Sequence, residues 1–146
     1  LPGSPTADSA FAELESINAH LHGEGMCYPT LAGGVTVADS GGVWTLGAFV
    51  EVVPASTITN PYSLHFLNVE ALDTDAVYEL HLFQGGADTL VCKRRLNRNS
   101  VVGFGGLQSV KLQTPVIPAN ARVRAKLASS VGGASGNFAL QYHEHT

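Results

Sequence analysis

From about residue 35 onward, apolar and polar residues alternate with a period of two, the spacing of strands that bury one face. The strictest case is residues 121–128, where Ala121, Val123, Ala125 and Leu127 fall on one side and Arg122, Arg124 and Lys126 on the other. Residues 76–84 set Tyr78, Leu80 and Leu82 against Val77, Glu79, His81 and Phe83. Residues 138–145 set Phe138, Leu140 and Tyr142 against Ala139, Gln141, His143 and His145. Further strands are predicted over 43–53, which Pro54 stops, over 63–72, 89–96 and 107–113, and more weakly over 35–38.

Glycine punctuates this pattern. The pairs Gly33-Gly34, Gly41-Gly42, Gly85-Gly86, Gly105-Gly106 and Gly132-Gly133 each lie at or beside a gap between candidate strands, where a turn needs positive φ. Eight strands joined by such turns predict an all-β fold, an eight-stranded antiparallel β-sandwich of the jelly-roll type. An immunoglobulin-like sandwich is the near alternative, but its Cys…Trp…Cys arrangement is absent, since Trp44 follows Cys27 too closely.

The first residues read differently. Phe11, Leu14, Ile17 and Leu21 recur at helical spacing, with Glu13 and Glu15 off that face and Asp8 or Ser9 placed to cap the start. A helix this short is marginal alone and must dock on its own sheet or on another subunit. The expected organisation is an N-terminal arm with a short helix over 1–34 and a jelly-roll domain over 35–146.

Charge sharpens the picture. All eight Lys and Arg residues lie between Lys93 and Lys126, a segment without Asp or Glu, whereas eleven of the twelve acidic residues lie at or before Asp88. The net charge of −4 therefore joins an acidic first part to a basic later one. The two parts either neutralise each other within one chain or meet on neighbouring subunits. Charged residues make up only 14% of the chain, against roughly 25% in typical soluble domains. That deficit suggests a surface partly covered by a partner or made of polar, uncharged loops. Cys27 and Cys92 are too far apart in sequence for a zinc or redox motif and are expected to be free thiols in a reducing cytosol. No apolar run approaches the ~18 residues of a membrane span, and no signal peptide is evident.

Candidate chemistry is sparse. His20-x-His22 with Glu24, and His143-x-His145, invite a metal reading, and His65 and His81 lie on neighbouring predicted strands where they could face one another. The cupin arrangement of His-x-His with a later Glu on barrel strands does not match, and no metal or cofactor is expected. There is no Gly-x-Ser-x-Gly elbow, phosphate loop or dinucleotide loop, so no enzyme is expected. The basic cluster Lys93, Arg94, Arg95 and Arg98 lacks interleaved aromatic residues, which argues against nucleic acid as a partner.

The stretches Val77 to Gly86, Thr114 to Ser130 and Phe138 to Glu144 resemble small jelly-roll structural proteins of tailed bacteriophages, the capsid cement or decoration proteins. The resemblance covers roughly residues 45–146 and rests on the segment Pro115 to Ser130 and the closing Tyr142-His143-Glu144. It implies a structural virion protein, made in the host cytoplasm. It would bind the outside of the capsid as a dimer or trimer and clamp neighbouring major capsid subunits. It implies no catalytic residues, no membrane and no nucleic acid. On this reading Lys93, Arg94, Arg95, Arg98, Arg122, Arg124 and Lys126 face acidic surfaces of the shell or a sister subunit, and Phe11, Leu14 and Ile17 anchor the arm. The competing expectation is a phage fibre or host-attachment module that binds glycan, which an exposed Trp44 or Tyr62 beside a groove would favour.

Overall fold

A computed structural model describes residues 25–145. The arm residues Phe11, Leu14 and Ile17, with the expected helix around them, lie outside the described residues. Nine strands follow in order: β1 Met26–Tyr28, β2 Val35–Ala38, β3 Val50–Val53, β4 Tyr62–Leu72, β5 Ala76–Gln84, β6 Thr89–Arg98, β7 Gln108–Lys111, β8 Val123–Ser129 and β9 Ser135–Glu144. Among the described residues the one helical element is a 3₁₀ turn at Ser100–Val102.

The strands form two antiparallel sheets packed as a β-sandwich. One sheet runs β1-β9-β4-β7, with β2 also paired to β9, and the other runs β3-β8-β5-β6. Because β1 meets β9 at Leu140–Tyr142 and β2 meets it at Ser135–Phe138, β1 and β2 act as two halves of one edge strand. Counted so, eight strands follow jelly-roll order, each passing to the other sheet except for the hairpin β5-β6. The strand Met26–Tyr28 belongs to the sheet although the sequence pattern placed it in the arm. It is three residues long and mostly exposed, so it carries no alternation to read.

The predicted alternation sets which side chains meet between the sheets. Leu64, Leu67 and Val69 of β4 and Phe138, Leu140 and Tyr142 of β9 face Tyr78, Leu80 and Leu82 of β5 and Val123, Ala125 and Leu127 of β8. This is a core of aliphatic groups with the rings of Tyr62, Tyr78, Phe138 and Tyr142, of which Tyr62 and Tyr142 pack edge to face at 5.9 Å. The predicted strand over 43–53 shrinks to Val50–Val53. Its first half is loop: Trp44 takes a left-handed backbone (φ 51°) and Gly47 lies so close to Ala38 that a Cβ would sit 2.4 Å from that residue's carbonyl oxygen. Apolar composition alone did not reveal that close approach.

The loop after β2 is tied to the turn before β9 by one carboxylate. Asp39 accepts hydrogen bonds from Ser129 Oγ (2.6 Å), Gly41 N (2.8 Å), Gly133 N (2.9 Å) and Ala134 N (3.1 Å). Burial pushes its pKa up, but these donors outweigh burial and hold the carboxyl below its usual value. Gly132 completes the junction with φ 74° and no room for a Cβ, which would stand 2.5 Å from Gly41 O.

Candidate functional site

Lys93, Arg95, Arg124 and Lys126 come together on the outer face of the four-stranded sheet, because β8 and β6 flank β5 there, whereas Arg94 and Arg98 alternate to the other side, opposite Leu80 and Ala76. The register sets Arg124 beside Phe83, Lys126 and Lys93 on either side of His81, and Arg95 opposite Glu79. β5 thus places Glu79 and His81 between two basic strands, and part of the basic charge is matched inside the chain.

Arg95 Nε donates to Glu79 (2.8 Å), whose other oxygen meets His81 Nε2 (2.7 Å). Arg124 Nε donates to Asp88 (2.8 Å), and its second nitrogen bonds the other carboxylate oxygen. Arg122 reaches the same carboxylate at 3.6 Å. Arg98 donates to Leu72 O (2.9 Å) and lies 3.4 Å from Asp75, with its Nε charge-paired but not aligned as a hydrogen bond. Arg94 turns to the backbone, donating to Lys111 O and Lys93 O. Lys126 and Arg124 both lie over the Phe49 ring, at 4.2 and 4.0 Å from its centroid. The expectation that the seven basic residues face another subunit therefore meets internal partners for Arg95, Arg98, Arg122 and Arg124. The sequence separated the two signs of charge, and antiparallel pairing across β5 and its turn brought them back together.

Two features of this face were not legible in sequence. Arg95 lies 4.5 Å over the ring of Trp44, which is 44% exposed, and the two line a cavity of about 310 Å³ with Glu79 and His81. The other aromatic candidate, Tyr62, is fully buried and donates its hydroxyl to Ala121 O (2.7 Å). Beside Trp44 the sandwich ends in exposed aliphatic groups. Val77 is hydrogen-bonded both ways to Ser130, next to Val131, and shares a hollow with Val101. Trp44 N bonds Ser129 O (2.8 Å), which brings Val43 to the same end. Val101 and Val102 on the 3₁₀ turn are 90% and 75% exposed.

The histidines are arranged differently from expectation. His81 pairs with Glu79 on the four-stranded sheet, whereas His65 lies on the five-stranded one, so the two do not face each other. His65 instead meets His143 (centroids 5.3 Å), and His143 stacks on His145 (4.7 Å). His20, His22 and Glu24 lie outside the described residues. Among the described residues, no group of three or more His, Cys, Asp or Glu is arranged to hold a metal ion. Cys27 and Cys92 are free thiols on different sheets, and burial pushes the Cys92 thiol up. Among the described residues no helix is long and apolar enough to cross a membrane.

No protein-family model matches the chain, and no curated protein matches it. Among solved structures it is similar to the insecticidal delta-endotoxin Cry8Ea1 from Bacillus thuringiensis, with 12% identity and a TM-score of 0.44 over 98% of this chain and 22% of that one. The chain thus spans about a fifth of that protein's length.

Proposed function

We propose that this chain is a structural virion protein that binds the outside of a phage capsid and stabilises contacts between major capsid subunits, as a cement or decoration protein. The observation that carries the reading is the exposed aliphatic end of the sandwich, where Val43, Val77, Val101, Val102 and Val131 stand in solvent beside Trp44. Clustered exposed apolar groups on a folded domain mark a surface made to be covered. The motifs around Pro115 to Ser130 and at Tyr142 to Glu144 support the same reading through their resemblance to such proteins. The shell contact then rests on this apolar end more than on Arg95, Arg98, Arg122 and Arg124, whose charges are matched within the fold.

The test is co-sedimentation of the purified chain with expanded capsids, together with its copy number in particles by quantitative mass spectrometry. Saturable binding, and a copy number that is a simple fraction of the major shell protein, support the reading. The double variant V101D/V102D should lose binding while remaining folded. Absence from particles, or full binding by that variant, overturns it.

A second reading, a glycan-binding attachment module, is favoured by the cavity at Trp44, Glu79, His81 and Arg95, an aromatic ring beside polar groups. A glycan array answers it: a hit abolished by W44A supports attachment, and a blank array removes it.

A further inference from the structure

On the outer face of the five-stranded sheet, at the end away from the apolar patch, three imidazoles stand in a column. His65 is the extra residue of a bulge in β4, between the pairs Leu64↔Tyr142 and Phe66↔Gln141, and the bulge brings it to His143. His143 is 4% exposed, and its Nε2 has no hydrogen-bond partner among the described residues. His145 stacks on it and is held by Ser63 Oγ at 2.8 Å. Next to His65 is a hollow of about 270 Å³ lined by Ser63, Lys111, Gln113 and Thr114, with Phe66 and Leu112 as its apolar wall.

The groups that face this column are unusual in sign. From β7 comes Lys111; from β9 come His143 and, just beyond its end, His145; from β4 comes His65 itself. Glu144, between the two histidines, turns away and meets Asn60 Nδ2 at 3.4 Å. Arg94, whose Nε bonds Lys111 O (3.0 Å), adds a further cation nearby. β1 contributes Cys27, opposite Gln141. None of the ion pairs among the described residues involves His65, Lys111, His143 or His145. Burial first, then the neighbouring His143, His145 and Lys111, push His65 below its usual value. His65 therefore resists protonation unless an anion enters.

We propose that His65 and Lys111, backed by His143 and His145 and by the hydroxyls and amide of Ser63, Thr114 and Gln113, form a site for a small tetrahedral oxyanion of the sulfate or phosphate class, bound together with protons. The Lys111 amine and the Nε2 of His143 meet no acceptor among the described residues, and the hollow holds several donors around a volume suited to such an ion. By linkage, an anion that prefers the protonated imidazoles binds more tightly as pH falls, and it raises their affinity for protons by the same factor. This site is independent of the shell-binding reading.

The probe is sulfate, which does not itself titrate between about pH 5 and pH 8, added at constant ionic strength to the whole chain. Imidazole C–H signals followed by NMR should shift saturably at about pH 5.5, and the affinity should be at least about tenfold weaker at pH 8. Lys111 is exposed, so K111Q leaves the fold intact; it should weaken binding by about tenfold, the worth of one charge-assisted hydrogen bond. H65Q should do the same and reduce the pH dependence. General salting-out by sulfate would act alike at both pH values and in both proteins. Affinity that is equal at the two pH values, unchanged in K111Q, or undetectable at about pH 5.5 overturns the proposal.

Discussion

Asp88 holds the guanidinium of Arg124 with both carboxylate oxygens, across a separation of 36 residues and across the boundary between the acidic and basic parts of the sequence. The hydrogen bonds from Arg124 keep the Asp88 carboxyl below its ordinary value of 3.8 against the opposing effect of burial, with the charges of Arg124 and Arg122 adding to the pull. A carboxyl with a lowered folded pKa stabilises the fold fully above its unfolded value, and the contribution disappears as pH falls through the folded value. The variant D88N should therefore unfold at a lower temperature than the parent at pH 7. The difference should close below the ordinary carboxylate value, and added salt should narrow it. Thermal midpoints of the two proteins across the acid range check this; a constant gap would show that the pair does not titrate as described.

Asp39 gives a second acid-sensitive junction of another kind, since its partners are backbone amides and a serine with no cation among them. Truncation by D39A strands several donors and should cost about 1–3 kcal/mol. Urea unfolding should show the midpoint falling with its slope unchanged. Because no opposite charge is involved, salt should leave this loss in place.

Tyr62 sets the alkaline limit. Burial, and then the neighbouring Tyr142, push its phenol up to about 12. A raised folded value means stability is intact below the unfolded value of 10.0 and is lost as pH rises toward 12. The variant Y62F loses the hydroxyl bond to Ala121 O, at a cost of about 1 kcal/mol near neutrality. It should also lose stability less steeply than the parent above pH 10, a crossover that denaturant midpoints at pH 7 and pH 11 would display.

The alternation in β8 makes a paired prediction. Leu127 is fully buried at the centre of the sandwich, and L127A should cost about 2–5 kcal/mol through lost burial and the cavity left behind. One residue earlier, K126A removes only the contact with the Phe49 ring and should cost about 1 kcal/mol or less. Equal losses at the two positions would contradict the register.

How much was legible follows from what period-two patterns can carry. β5 and β8 each have a dry face and a wet face, so Tyr78, Leu80, Val123 and Leu127 could be assigned to the core from spacing alone. β1 could not be found, because Met26, Cys27 and Tyr28 lie on an edge strand with little burial to impose a pattern. The meeting of His65 with His143 was also hidden. It depends on a bulge that shifts β4 by one residue, and a bulge leaves no mark in composition. The charge segregation was visible as a fact, but its resolution required knowing that β5 lies between β6 and β8. Trp44 was singled out in sequence as a residue whose exposure would matter. Its neighbours Glu79 and Arg95 come from distant segments that only the sheet brings together.

The placement of β1 beside β9 has a practical corollary. Met26 sits next to Tyr142 and Tyr62 next to Glu144, so the chain enters and leaves the described sandwich at one end. The exposed valines gather around the opposite end, where β9 begins. The length of β9, ten residues, spaces the two ends by about 30 Å. A protein docked through its valines would therefore present both chain exits to the outside, side by side. A pair of fluorophores on the two exits, at Met26 and Glu144, would report on each other before they reported on the surface beneath.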